Sequence, residues 1–379
     1  MHAGRPIFVA GGIRVAREDP MDLLTAVAVS TLPASRIKIA SVVQQWRQAG
    51  HEITLDMLLD AVCSPPEDRG RIVSESLESA RIALHAGREH GMEPVPWFDP
   101  RYPPLLACVG DPPPVLWTKG DAAALEQPAV AIVGSRAATP YAIQVARRLA
   151  AELAEQGIAV VSGLARGVDS AAHEGCLAAG GATIAVLGSG LDRLYPAEHA
   201  ELSQNISRKG LLVSELAPGS APLPGNFPLR NRIISGISFG TVVVEASEKS
   251  GSLITAACAL KQGRDVMAVP GSVLGGRNRG SHGLLKDGAK VVETADDILE
   301  ELGWGTRPRA NRQKAPQDPL LTKMEAGESY EFDRLIELSG MPAAKLLTRL
   351  MELELLGHVQ GGPGGRFIRA ASGPSGNVG

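Results

Sequence analysis

The sequence predicts an α/β protein built on a Rossmann-like, doubly wound and mostly parallel sheet, with a small helical domain before it and a winged helix after it. Three observations lead there. Short β-branched apolar runs recur between about residues 129 and 300: AVAIV, IAVVS, ATIAVLG, LLVSE, TVVVEA, DVMAVP and AKVVET. These runs do not alternate with polar residues, which marks strands covered on both faces. Helical patterns such as YAIQVARRLAAELAEQG and LITAACALKQG lie between several of them, so the strands are joined by crossover helices.

The elements follow in order. Residues 1–20 read as a loose arm. Residues up to 86 hold short helical patterns (MDLLTAVAVS, SRIKIASVVQQWRQAG, ITLDMLLDAV, RIVSESLESARIALHAG) split by Pro and Gly, and form the small helical domain, 1–86. A proline run follows in PVPWFDPRYPPLL and DPPPVLW. Missing amide donors and fixed φ oppose helix there, so an extended lead-in strapped along the next domain is expected. The core spans 87–304. Its first long helix has legible ends: Thr139 to cap it, Pro140 in its first turn and Gly157 beyond it. The basic, Pro-rich stretch 305–317 reads as a linker. Residues 318–370, with three helical patterns and a Gly-tipped hairpin HVQGGPGGRFIRA, read as a winged helix, and 371–379 as a disordered tail.

Composition narrows the function. The 379 residues carry a formal net charge of −3, with 44% hydrophobic and 21% charged residues. This excludes collagenous, coiled-coil and wholly disordered chains. It also excludes a general polycation, so nucleic-acid contact must come from local basic clusters. Cys63, Cys108, Cys176 and Cys258 are scattered, with no CxxC and no grouped histidines. They read as four small buried hydrophobes in a reducing, cytosolic compartment, with no metal site, disulfide framework or resident cofactor. No apolar run is long enough to span a membrane.

The chemistry concentrates in a repeated device: strand, tight Gly/Ser/Arg turn, helix. It occurs in AIVGSRAATP, VVSGLARGVDSAAH and AVLGSGLDRLYP. In a parallel sheet such turns share the carboxyl edge, where ligands bind, and helix N-termini there suit phosphate. Gly134, Gly163 and Gly167 would admit a close backbone, Ser135 and Ser162 would donate hydroxyls, and Arg136 and Arg166 would fork onto phosphate oxygens. In PGNFPLRNRIISGIS, Arg230, Asn231 and Arg232 follow Phe227, a candidate base-stacking platform. In EASEKSGSLITAA, Lys249, Ser250, Gly251 and Ser252 precede a helix and offer another phosphate cradle, without the order of a P-loop.

These motifs, with AVPGS, resemble in order and spacing the DNA-processing protein A (DprA/Smf) family, from roughly Pro96 to Leu299. The C-terminal winged helix is similar to that family's as well. The resemblance implies a cytoplasmic, homodimeric protein that binds single-stranded DNA and protects it during natural transformation. It also implies loading of RecA recombinase past bound single-strand-binding protein, and a SAM-like N-terminal module. It assigns strand binding to Arg136 and the Arg166 turn, and base contact to Phe227. Two positions depart from the family: Leu229, often basic there, and His282, usually asparagine there.

Two other functions fit the sequence less well. A nucleotide-cleaving phosphoribohydrolase of the lysine-decarboxylase-like group would need GGxGTxxE. Here SFGTVVVEA lacks the glycine pair, and Glu245 stands one residue too far from Thr241, which turns its side chain to the other face of a strand. A dinucleotide-dependent oxidoreductase would need a third glycine where GSGLDR has Arg193. Asp169 and His173, one helical turn apart, read as a helix-stabilising pair rather than a catalytic one. In the winged helix, PAAKLLTRLMELELLG has Lys345 and Arg349 against Glu352 and Glu354 and many leucines. It is therefore expected to contact protein or pack on the core rather than read a DNA groove.

Overall fold

The computed structural model describes residues 21–49, 51, 53–63, 68–305, 318–325, 328–355, 358–362 and 365–369. The expected N-terminal arm, most of the linker and the tail lie outside them. Four helices come first: α1 (Leu23–Val29), α2 (Arg36–Ala49), α3 (Leu55–Val62) and α4 (Arg69–Glu89). The expected boundary at residue 86 falls inside α4, which runs on until Gly91 adopts φ 64°. Near the end of α4, Gly87 packs so closely on the Trp117 indole that a Cβ would lie 2.6 Å from it. The buried side chains of these helices share one core cluster with the sheet.

Nine strands form one sheet: β1 (Glu93–Pro96), β2 (Val115–Gly120), β3 (Ala129–Val133), β4 (Ala159–Ser162), β5 (Thr183–Val186), β6 (Leu211–Ser214), β7 (Gly240–Val243), β8 (Asp265–Ala268) and β9 (Lys290–Val291). Their spatial order is β1-β2-β6-β5-β4-β3-β7-β8-β9, parallel from β6 to β9 and antiparallel at β1 and β2. Each of the seven runs read as strands is one. The Pro-rich lead-in is different from the expected strap: it supplies β1 and β2 and widens the sheet. Prolines are tolerated in β1 because it is an edge strand. The lead-in also contains a one-turn helix, α5 (Pro104–Ala107), with proline at its first position, where the lost amide would have had no helical partner.

Crossovers are α6 (Pro140–Glu155), α7 (Val168–Ala178), α8 (Ala200–Lys209), α9 (Asn226–Ile237), α10 (Ser252–Lys261) and α11 (Arg279–Lys286), and α12 (Ala295–Glu301) follows β9. In α6, Thr139 accepts from the Ala142 amide, Pro140 begins the helix and Gly157 turns the chain at φ 79°. Winding proceeds from β3 toward β6 on one side and from β7 toward β9 on the other. The topological switch point is therefore the β3–β7 junction, with α9 crossing from β6 back to β7.

The C-terminal unit has β10 (Ser329–Glu331), α13 (Phe332–Ser339), α14 (Ala343–Leu355) and a hairpin of β11 (Val359–Gly362) and β12 (Arg366–Arg369), with β10 pairing on β12. The first of the three expected helices is a single 3₁₀ turn, Leu321–Lys323. On α14, Leu346, Leu350 and Leu353 are buried, whereas Leu347 and Met351 are exposed one turn apart. Of the four cysteines Cys176 is buried, Cys63 and Cys258 are half-buried and Cys108 is exposed, which corrects the reading of four buried thiols. Among the described residues no helix is long and apolar enough to cross a membrane, and no cluster of His, Cys, Asp or Glu could hold a metal.

Candidate nucleic-acid interface

A cleft of about 650 Å³ opens at the carboxyl edge over the switch point, the place where open α/β sheets bind ligands. Four segments line it: 133–137 after β3, Ala165 and Asp169 at the start of α7, the loop and first turns of α9, and Ser247 with residues 250–252, 254 and 255 around the start of α10. Tyr195, from the turn after β5, completes the wall.

Arg136 and Phe227 make the mouth. The Arg136 guanidinium is exposed and lies 5.8 Å from the centroid of the Phe227 ring, within the range of a cation–π contact. Phe227 is half-buried, with the Tyr195 ring 5.3 Å away and tilted by 52°. Gly188 beneath leaves room for it: a Cβ there would sit 3.0 Å from the Phe227 ring. The mouth thus sets an exposed cation against an aromatic ring.

The floor is polar and held in place. Arg230 is 5% exposed and donates from Nη1 to the Gly163 carbonyl at 2.8 Å and to that of Val186. Its Nε has no partner. Burial lowers its pKa to about 10, with Arg136 pushing the same way and Asp169 opposing; it remains a cation at neutral pH. Asp169 is also buried, which raises its pKa, while Arg230 and the amides of Ala165 and Gly163 oppose that. It accepts from the Gly163 amide at 3.1 Å and from Ala165 at 3.4 Å. Asn231 donates to the Gly251 carbonyl at 3.2 Å, and Ser250 and Ser252 share a hydrogen bond of 2.8 Å at the start of α10.

Of the residues expected to bind, Gly134, Ser135, Arg136, Phe227, Arg230, Asn231, Ser250, Gly251 and Ser252 line the cleft together. The others do not. Ser162 is fully buried and donates to the Ile132 carbonyl at 2.6 Å, so its hydroxyl serves the sheet. Gly163 has its amide bound by Asp169, and a Cβ there would lie 2.6 Å from the Arg230 guanidinium. Its smallness makes room for that side chain, not for a ligand. Gly167 turns at φ 79° with its Cβ position 2.3 Å from the Ser135 carbonyl, which holds two turns together. Arg166 is exposed but outside the lining, forked onto Glu198 with Nη2 to Oε2 at 2.7 Å. Arg232 is 6% exposed and paired with Asp111 at 3.0 Å and with Glu215. Lys249 is exposed beside the cleft without lining it.

Further corrections follow from side-chain direction. Asp169 and His173 do not pair: His173 is buried with Nδ1 2.7 Å from the Thr183 hydroxyl, and its pKa falls to about 3, chiefly through burial. Glu245 faces Thr139, whose hydroxyl donates to it at 2.6 Å, and is outside the cleft lining. Leu229 is 47% exposed on the outer side of α9. His282 approaches Gly271, with Nε2 3.1 Å from the carbonyl, so it braces the β8–α11 loop. Sequence reading missed Tyr195 and Asp169 as cleft residues. Tyr195 carried a signal, being an aromatic in a Gly/Pro-rich turn after a strand; Asp169 carried none, because its burial depends on the turn before α7.

Residues 93–303 match the family model for DNA recombination-mediator protein A, and residues 305–365 match the DprA winged helix domain. The chain is 41% identical over 307 residues to Protein Smf of Escherichia coli (strain K12), covering 78% of this chain and 81% of that protein. It is 44% identical over 220 residues to DNA processing protein DprA of Bacillus subtilis (strain 168), covering 58% and 74% respectively. Among solved structures, DprA from Streptococcus pneumoniae is similar with 36% identity and a TM-score of 0.64, over 73% of this chain and 95% of that one. DprA from Helicobacter pylori, whose structure addresses its single-stranded DNA binding mode, is similar with 32% identity and a TM-score of 0.51, over 56% and 95%. The chain therefore belongs to the DNA recombination-mediator protein A (DprA/Smf) family.

Proposed function

We propose that this protein binds single-stranded DNA in the switch-point cleft. The observation that carries the reading is the pairing of Arg136 with Phe227 at the mouth, an exposed cation against an aromatic ring. Phosphate pairs with the cation and an unstacked base with the ring, a combination suited to single strands of any sequence. The start of α10 adds Ser250, Gly251 and Ser252 to the lining, at the positive end of that helix's dipole. The H. pylori relative's single-stranded DNA binding mode supports the same reading. Titration of labelled single-stranded and duplex oligonucleotides at several salt concentrations tests it. Tighter binding of the single strand, lost in Arg136→Ala, is the expected result; equal binding of duplex overturns it.

Family membership extends the reading. The protein protects incoming strands in natural transformation and passes them to RecA recombinase through bound single-strand-binding protein, working as a homodimer in the cytoplasm. It acts as a binding protein, without turnover; the orientation of Glu245 toward Thr139, away from the cleft, supports this over the phosphoribohydrolase reading. RecA filament growth on strands coated with single-strand-binding protein tests the delivery step. Absence of nucleoside monophosphate cleavage tests the other.

A further inference from the structure

The C-terminal part of the β8–α11 loop, residues 271–279, is tied to two turns beside the cleft. Arg277 donates from Nη1 to the Ala137 carbonyl at 2.8 Å, one residue beyond Arg136. Three residues on, in the first turn of α11, the Gly280 amide donates to the Ala246 carbonyl at 2.8 Å, and a Cβ at Gly280 would lie 2.5 Å from the Ser247 carbonyl. The loop therefore bridges the turns after β3 and β7, the two that flank the switch point. Buried Asn278 closes it by donating to the Ser272 carbonyl at 3.2 Å.

Its chemistry is cationic and apolar at once. The loop and the first residue of α11 carry two arginines, Arg277 and Arg279, and no acid; both side chains are exposed. Arg279 reaches Glu248 only at 3.8 Å, with both side chains about two-thirds exposed (68% and 67%), an ion pair that contributes little. Lys249, also exposed, follows Glu248 in the same turn. At the tip Val273 and Leu274 are 82% and 80% exposed, ahead of Gly275 and Gly276 at φ 74° and 73°.

We propose that this loop is a second strand-binding element, which carries the polynucleotide on from the cleft toward the β8 side. The inference rests on the cleft's binding single-stranded DNA. Arg277 and Arg279 would hold phosphates, and the Val273–Leu274 tip would cover base faces that a duplex keeps stacked inside. Charge complementarity and continuity with the cleft favour nucleic acid over a protein partner.

The test compares oligothymidylates of about 6 and about 20 nucleotides on the full-length protein, bracketing one site and two. Arg279→Gln, which leaves the Arg277–Ala137 bond intact, is expected to spare the short oligomer and weaken the long one about threefold, lowering its salt slope by ~0.7. Arg277→Gln/Arg279→Gln should double that change in slope. Val273→Ser/Leu274→Ser should weaken the long oligomer with no change in slope. Unchanged long-oligomer affinity and slope in all three variants, the result for a loop that serves a protein partner, overturns the proposal. So does an equal loss for both oligomers in Arg279→Gln. Arg136→Ala separates the two readings: it weakens both oligomers if the cleft binds, and no change in either overturns the cleft reading itself.

Discussion

Arg230 and Arg232 stand two residues apart on α9 and serve opposite sides of it. Arg230 reaches the Gly163 carbonyl under the cleft, whereas Arg232 pairs with Asp111 and Glu215 away from it. A helix turns roughly 100° per residue, so neighbours at this spacing diverge by roughly 200°. One arginine lines the cleft, and the other holds the helix to Asp111 and Glu215.

Removal of Arg232 should cost stability rather than binding chemistry. Arg232→Ala leaves the buried Glu215 carboxylate with only Arg36, 3.4 Å away and 41% exposed. Loss of one partner from a buried pair costs about 3 kcal/mol. Urea unfolding should show that loss, while the salt slope of DNA binding by the folded variant stays unchanged.

The two residues at the mouth should separate by salt dependence. Arg136→Ala should weaken single-strand binding and lower the slope of log affinity against log salt by ~0.7. Phe227→Ala should weaken binding by about 1–3 kcal/mol with no change in slope, because stacking releases no counterions. Anisotropy titrations at four or so salt concentrations distinguish the two.

Arg166 should behave unlike Arg136. Its guanidinium already faces Glu198, so it enters a complex only by exchanging one anion for another. Arg166→Ala is expected to change affinity less than Arg136→Ala. Glu198→Gln should raise affinity and steepen the slope by ~0.7 if Arg166 then takes a phosphate. A weaker complex in Glu198→Gln would show that the pair supports the interface as it stands.

His173 makes stability depend on pH. Folding lowers its pKa to about 3, against an ordinary value of 6.5, so the unfolded chain binds the extra proton between those limits. Its contribution is complete above pH 6.5 and is lost as pH falls toward 3, at about 1.4 kcal/mol per pH unit. His173→Gln should remove one proton from the pH dependence of the unfolding free energy. An unchanged slope between pH 6 and 4 would assign the acid sensitivity to other groups.

The winged helix should matter little for strand affinity. Arg349, the arginine of α14, is already paired with Asp318 and Glu352. Truncation after residue 305 should leave single-strand affinity within about threefold, roughly 0.65 kcal/mol. A hundredfold loss in a folded truncation would place the C-terminal unit in the interface.

The sheet was legible because its parallel strands are buried on both faces, so their apolar runs stand out against polar loops. β1 and β2 were not, since prolines at 94 and 96 argue against a strand wherever the pattern does not reveal an edge. Turn positions were legible from their Gly/Ser/Arg spelling, and so were Arg136 and Phe227. What the spelling could not show is which polar groups the fold consumes. Ser162 and Gly163 are spent on the sheet and on Arg230, and Arg232 on two carboxylates from distant segments. Those assignments depend on helix phase and on partners more than a hundred residues away in the case of Asp111.

The segments around the cleft are cross-tied before any ligand arrives: Arg230 to Gly163 and Asn231 to Gly251, with Thr139 held to Glu245 behind the lining. A receptor so preorganised has little conformational entropy left to lose, so the ordering cost of association falls on the strand. Oligomers that are stiffened by strong base stacking resist the splayed path that Phe227 requires, and flexible ones conform to it. Affinity should therefore rank with the pliancy of the polynucleotide, pyrimidine runs ahead of stacked adenine runs, although no side chain in the cleft need read a base.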